Sequence, residues 1–239
     1  MENKLDEFVQ KLKTAAAGNL KAVVLYGSAV TDEFHAGHSN LNTLCLIENA
    51  GPVQLEALRA PIEWWVRQGH VAPLVFTMEE LRRSADIFAI ELMDMQSNHR
   101  MLLGEDFFAG ITVPLHYHKR QVERELRTNW LRLRQAYLVA PNKEKVHLDL
   151  MIGSVSSFAA LFRHALIACG EGPVSNKRQA IENVAKLAQF DASGFLTILD
   201  LREGKKKEKE INVEETFRRY LGLVDAVTNE VDRRLDESL

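Results

Sequence analysis

The chain has 239 residues, 46% apolar and 26% charged, with a net charge of −3 and a pI near 6.3. That suits one or two globular domains, each able to bury a core without staples. It excludes both a global basic field for nucleic acid and an acidic interaction arm.

The two cysteines, Cys45 and Cys169, lie far apart without metal-type spacing and read as buried thiols of a reducing compartment. The N-terminal run from Met1 to Glu7 carries no apolar stretch after its charges, so it does not read as a signal peptide. No stretch approaches the roughly 18 continuous apolar residues of a membrane span. The expectation is a cytoplasmic protein with no membrane partner.

Residues 3–17 place Leu5, Phe8, Val9 and Leu12 at helical spacing, and Gly18-Asn19 ends the helix. Residues 21–26 form a short apolar strand, broken by Gly27-Ser28. Residues 41–48 form a second strand, apolar enough to be buried on both faces. After the Gly51-Pro52 turn, residues 53–68 read as a helix with Leu55, Leu58, Ile62 and Trp65 on one side. Residues 71–76 make a third strand. Thr77-Met78-Glu79-Glu80 fits a capping box, in which the Thr77 hydroxyl accepts from a backbone N–H and Glu80 reaches back. A short helix runs through Ser84, and residues 87–95 read as a fourth strand.

The character changes near Gly110 and Pro114. Helical stripes follow: Val122, Leu126, Trp130, Leu133 and Tyr137; Leu150, Val155, Phe158, Phe162 and Leu166; Ile181, Val184, Ala185 and Ala188; Phe195, Ile198 and Leu199; and Phe217 through Leu235. Short connectors between such helices favour an antiparallel bundle. The division expected is residues 1–112 and 113–239.

The stretch Leu25-Tyr26-Gly27-Ser28, followed by Ser39-Asn40-Leu41-Asn42, carries the chemistry. A glycine lets the backbone approach a phosphate closely, and N–H groups with a hydroxyl at a helix start can hold it. Residues two apart on a strand face one side. Two carboxylates so placed could clamp the pair of metal ions that phosphoryl transfer uses.

In this order of elements, Val23 to Ile47 resembles the signature of the polymerase-β-like nucleotidyltransferase superfamily. That family carries a strand, a Gly-Ser, a helix and an Asp-x-Asp on the next strand, with a third acid from a later strand. The order of elements over most of the chain resembles the aminoglycoside-type nucleotidyltransferases. The resemblance implies an α/β plus all-α protein: an N-terminal nucleotidyltransferase-like mixed sheet with flanking helices, then a C-terminal antiparallel helical bundle. It implies a nucleoside triphosphate as ligand, held by Gly27 and Ser28 in a cleft between the domains.

The departures are as informative. Asp-x-Asp stands here as Asn40-Leu41-Asn42, and the third acidic position falls at Ala72 or Pro73. Glu91 and Asp94, on the expected fourth strand, are poorer substitutes. An amide oxygen can ligate a hard cation but brings no charge. At an effective dielectric of about 20, one charge pair at 4 Å is worth roughly 4 kcal/mol. Two missing charges therefore remove standard two-metal catalysis, and these positions form a degenerate metal motif.

Other signals have blander readings. Asp32 and Glu33 read as solvent-facing, and His35 and His38 as loop histidines rather than a metal site. The arginines at 120, 124, 127, 132 and 134 read as a solvated face paired with Glu123 and Glu125. His116 and His118 read as surface linker. Arg163-His164 are adjacent and so point to different sides of their helix. Trp64-Trp65 read as one core and one rim aromatic.

The leading expectation is a nucleotidyltransferase-like protein without standard catalysis that holds a nucleotide or a partner. An active transferase, moving a nucleoside monophosphate to a small molecule or protein, is the first alternative. A structural module without nucleotide binding, as a homo-oligomer or with a protein partner, is the second. No cofactor is expected, with Mg entering only in the active alternative, and no nucleic acid.

Overall fold

The computed structural model describes residues 2–30, 41–174 and 176–237. The chain divides into two compact units, 1–117 and 118–239.

The first unit is built on a four-stranded mixed sheet of order β3-β2-β1-β4. Strand β1 (Leu20–Tyr26) is central and pairs antiparallel with both β2 (Asn42–Ile47) and β4 (His99–Leu103). Strand β3 (Leu74–Thr77) adds to β2 in parallel. Four consecutive residues of β1, Ala22 to Leu25, are buried. Side chains alternate along a strand, so those four divide between two faces. Val23 and Leu25, with Cys45 and Ile47, pack under α1 (Glu2–Ala15) and α2 (Pro52–Arg67). Ala22 and Val24, with Leu44 and Leu46, pack under α3 (Met78–Arg83) and α4 (Ala89–Ser97).

Local chemistry explains these elements. Leu5, Phe8, Val9 and Leu12 of α1 bury one stripe, and the Phe8 ring stacks on Trp65 at 4.4 Å and 9°. Trp65 is fully buried while Trp64 stays at the rim with Lys11 Nζ 5.0 Å over its ring, the expected division of the two tryptophans. The Thr77 capping box forms as read: Glu80 N donates to Thr77 Oγ1 at 3.2 Å, and Thr77 N donates to Glu80 Oε2 at 2.7 Å.

One element differs in kind. Residues 87–95, expected as a strand, belong mostly to α4, and the fourth strand is His99–Leu103. Ala89, Leu92 and Met95 are the buried positions of α4. Their three-residue spacing is helical, and Ala, Glu, Leu and Met are strong helix formers. Glu91 and Asp94 therefore stand on a helix and not beside the strand acids of a metal site.

The second unit is a helical bundle. Helix α5 (Leu115–Val139) carries the chain into it, followed by α6 (Glu144–Ala168), α7 (Lys177–Leu187), α8 (Ser193–Arg202) and α9 (Val213–Asp236). Helix α6 is long and apolar enough, by length and composition, to cross a membrane, with mean hydropathy 1.5 in its best window. Half of that window is buried inside the bundle, where α6 packs on α7, α8 and α9. Its Phe158 and Phe162 meet Phe195 of α8, and Phe195 stacks on Tyr220 of α9 at 3.8 Å and 8°.

The approach of α8 to α9 depends on Gly194. A Cβ there would lie 2.5 Å from the backbone nitrogen of Tyr220. Gly194→Ala is expected to lower stability by about 1–3 kcal/mol, the usual cost of overpacking a close contact. Urea denaturation followed by helical circular dichroism would measure it, and an unchanged midpoint would show that the two helices can move apart freely.

Candidate functional site

The end of the sheet where β1 finishes is where the expected motif falls. Tyr26, the last residue of β1, pairs with Asn42 on one side and with His99 on the other. Directly opposed residues on paired strands share a face, so Asn42, Tyr26 and His99 form one row on the α3/α4 side. Gly27 follows with a positive φ of 79°, a conformation glycine adopts without steric cost, and opens a short 3₁₀ turn, Gly27–Val30. A Cβ at position 27 would sit 3.2 Å from Asn42 Nδ2. The bare backbone of Gly27 and the Asn42 amide are thus immediate neighbours.

Asn40 lies outside the described residues, as do Asp32, Glu33, His35 and His38, and the Ser28 side chain is likewise not described. On β3 the pair Leu44–Leu74 fixes the parallel register. Ala72 and Pro73, the positions at which the resemblance puts a third acid, precede β3 and lie outside that ladder. Among the described residues, no three His, Cys, Asp or Glu side chains converge so as to hold a metal ion.

The groups around Tyr26 are polar. Its phenol pKa is raised, first by burial and then by the Glu91 carboxylate on α4. The His99 ring is held between two acceptors: Nδ1 donates to the Met95 carbonyl at 2.8 Å, and Nε2 meets Asp106 Oδ2 at 3.1 Å. Its face lies against Phe108. Asp106 also accepts from Phe108 N at 2.9 Å. That backbone bond, followed by His99, holds the Asp106 carboxyl below its ordinary range. Behind the row, on the other face, burial pushes the Cys45 thiol up to about 12, so it stays protonated at neutral pH and offers neither a nucleophile nor a metal ligand. Beside it Thr43 Oγ1 is buried and, among the described residues, has no hydrogen-bond partner.

In the second unit, two histidines that sequence reading kept apart come together. His118 Nε2 and His164 Nδ1 lie 2.9 Å apart, and both residues are buried. His118, expected in a surface linker, stands one helical step from the buried Val122 and Leu126, a spacing that could have placed it inside. His116 stays exposed against the Tyr117 ring. The arginine-rich face of α5 is mostly paired: Arg124 with Glu125, Arg127 with Asp232 at 2.9 Å, and Arg134 over the Trp130 ring.

No protein-family model matches the chain, and no curated protein matches it. Among solved structures, it is similar to a spectinomycin adenyltransferase from Enterococcus faecialis, crystallised with ATP and spectinomycin. The TM-score is 0.58 at 13% identity, covering 97% of this chain and 99% of that one. The chain has a nucleotidyltransferase-like fold. At that identity the likeness carries the architecture and leaves the chemistry to the residues.

The Asp106 pKa has a testable consequence. A carboxyl whose folded pKa is depressed stabilises the fold above its unfolded pKa, and that stabilisation is lost as pH falls through the folded value. The Tm advantage of the wild type over Asp106→Asn is therefore expected at neutral pH and should disappear below the ordinary value of 3.8. Thermal melts from about pH 7 to about pH 3 would follow it, and an advantage that persisted in acid would contradict the assignment.

Proposed function

We propose that the first unit holds a nucleotide at the Gly27–Asn42 end of its sheet without carrying out two-metal nucleotidyl transfer. The observation that carries this reading is the Asn42 amide standing 3.2 Å from where a side chain on Gly27 would begin.

A nucleoside triphosphate brings several negative charges, and backbone N–H groups near a glycine with positive φ are suited to receive its oxygens. Ser28 would add a hydroxyl. A carboxylate at position 42 would repel those oxygens unless a divalent ion stood between. An amide instead offers both a donor and an acceptor. Among the described residues the donor set does not fit a magnesium pair: Asn42 is neutral, and no three acidic, histidine or cysteine side chains converge. The likeness to an adenyltransferase crystallised with ATP supports a nucleotide as the ligand class. Two free cysteines suit a reducing compartment such as the cytoplasm.

Calorimetric titration with ATP, GTP, CTP and UTP tests this, with and without Mg²⁺ and Mn²⁺. The wild type is expected to bind without help from the metal and to release no pyrophosphate. Asn40→Asp/Asn42→Asp is expected to gain metal-dependent affinity of about tenfold or more, equivalent to about 1.4 kcal/mol. Tight metal-dependent binding with pyrophosphate release in the wild type would make it an active transferase. Absence of nucleotide binding in either protein would leave the fold serving as an interaction module.

A further inference from the structure

Between α5 and α6 the bundle leaves an open groove of about 340 Å³, lined by residues of the second unit alone. Its apolar lining is Ala136 and Leu150, both half-buried, set over the buried Leu133 and Phe158. Its α5 wall carries Arg132 and Asn129. Arg132 is exposed and, among the described residues, its guanidinium is engaged by no hydrogen bond or ion pair. Asn129 donates through Nδ2 to the Glu125 carbonyl at 2.9 Å, which leaves its own carbonyl oxygen to accept. The α6 wall carries Gly153 and Ser157, and Asp149 at its edge is already engaged by Lys145 at 3.1 Å.

Gly153 is the telling residue. A glycine inside a helix is less favourable than alanine, because it loses more backbone freedom on folding. The glycines of α8 and α9 have packing reasons: a Cβ at Gly194 would meet the Tyr220 backbone, and one at Gly222 would lie 2.5 Å from the Phe190 ring. At Gly153, in the middle of a 25-residue helix, an added Cβ would meet nothing within 4 Å, and φ is not positive. Neither packing nor backbone conformation asks for glycine there. What the missing side chain does is keep the groove open opposite an uncommitted cation.

The geometry points to a second ligand site in this groove, for a small organic anion with an apolar body, such as an aromatic or alicyclic carboxylate or sulfonate. The apolar part lies on Ala136 and Leu150, above the buried Leu133 and Phe158, in the space that a side chain at 153 would fill. The anionic group pairs with Arg132, whose planar fork of donors suits a carboxylate or sulfonate. The volume lies at the lower end of the range for small-molecule sites. The site lies within the bundle and is independent of the nucleotide reading.

The probe for the test is 1-anilinonaphthalene-8-sulfonate, an aromatic sulfonate whose fluorescence rises in an apolar groove. The full chain is expected to bind it saturably at one site. Arg132→Gln should weaken binding about tenfold or more, the worth of a charge-assisted hydrogen bond. Gly153→Leu, whose Cβ has open space and whose side chain would fill the groove, should weaken it comparably. Gly153→Ala should melt no lower than wild type, and Arg120→Gln, on the same helix outside the groove, should bind as wild type does. Equal affinity in wild type, Arg132→Gln and Gly153→Leu would overturn the site, as would binding that does not saturate. Light scattering supplies the other arm: a dimer that Gly153→Leu dissolves would give the groove to a second copy of the chain and overturn the small-molecule assignment.

Discussion

The antiparallel ladder between β1 and β2 is the constraint on which the rest of the first unit depends. It runs from Leu20–Ile47 at one end to Tyr26–Asn42 at the other. Both strands are buried on both faces, and a slip of one residue would exchange the two faces of every side chain. Val23 and Cys45 would then meet the α3/α4 layer, and Ala22 and Leu44 the α1/α2 layer, each with the wrong volume. Register is therefore fixed by the two cores, and the two cores fix the position of Asn42 against Gly27. The polar end of the sheet is placed by the apolar residues that adjoin it along both strands.

That dependence explains what sequence reading could and could not recover. Strands β1 and β2 were legible because their apolar runs are bounded by Gly18-Asn19, Gly27-Ser28 and Gly51-Pro52. The Thr77 cap was legible because it is a local pattern. The bundle helices were legible from their stripes. The segment 87–95 misled because a short apolar run fits either a strand or a helix, and only the three-residue spacing of Ala89, Leu92 and Met95 separates them. Of the candidate site, Gly27 and Asn42 were legible as neighbours through a familiar layout. The His99–Asp106 pair was not, since its meaning comes from β4 lying beside β1. The His118–His164 pair spans 46 residues of chain, and only the packing of α5 on α6 joins it.

The amide at position 42 also bears on stability. Two carboxylates facing one side of a strand repel each other unless a cation stands between them, by about 1 kcal/mol at 4 Å in water and about 4 at an effective dielectric of 20. A fold with such a pair gives up stability whenever the metal is absent. With amides at positions 40 and 42 and alanine at 72, that repulsion has no source.

Both units use an absent side chain to bring groups close together. In the first, the absent side chain of Gly27 leaves room for the Asn42 amide, which a Cβ there would meet at 3.2 Å. In the second, the absent side chain of Gly194 lets α8 reach α9, and Phe195 stacks on Tyr220 as a result. Tyr220 is buried, and its hydroxyl finds a partner in Ser154 of α6 at 2.8 Å, which ties three helices through one side chain. Ser154 stands next to Gly153, so the position that leaves the α5–α6 groove open adjoins one of the most constrained points of the bundle. A groove with a wall anchored in this way keeps its shape whether or not anything occupies it. Preorganisation of that kind lowers the ordering cost of binding and lets a shallow site retain affinity.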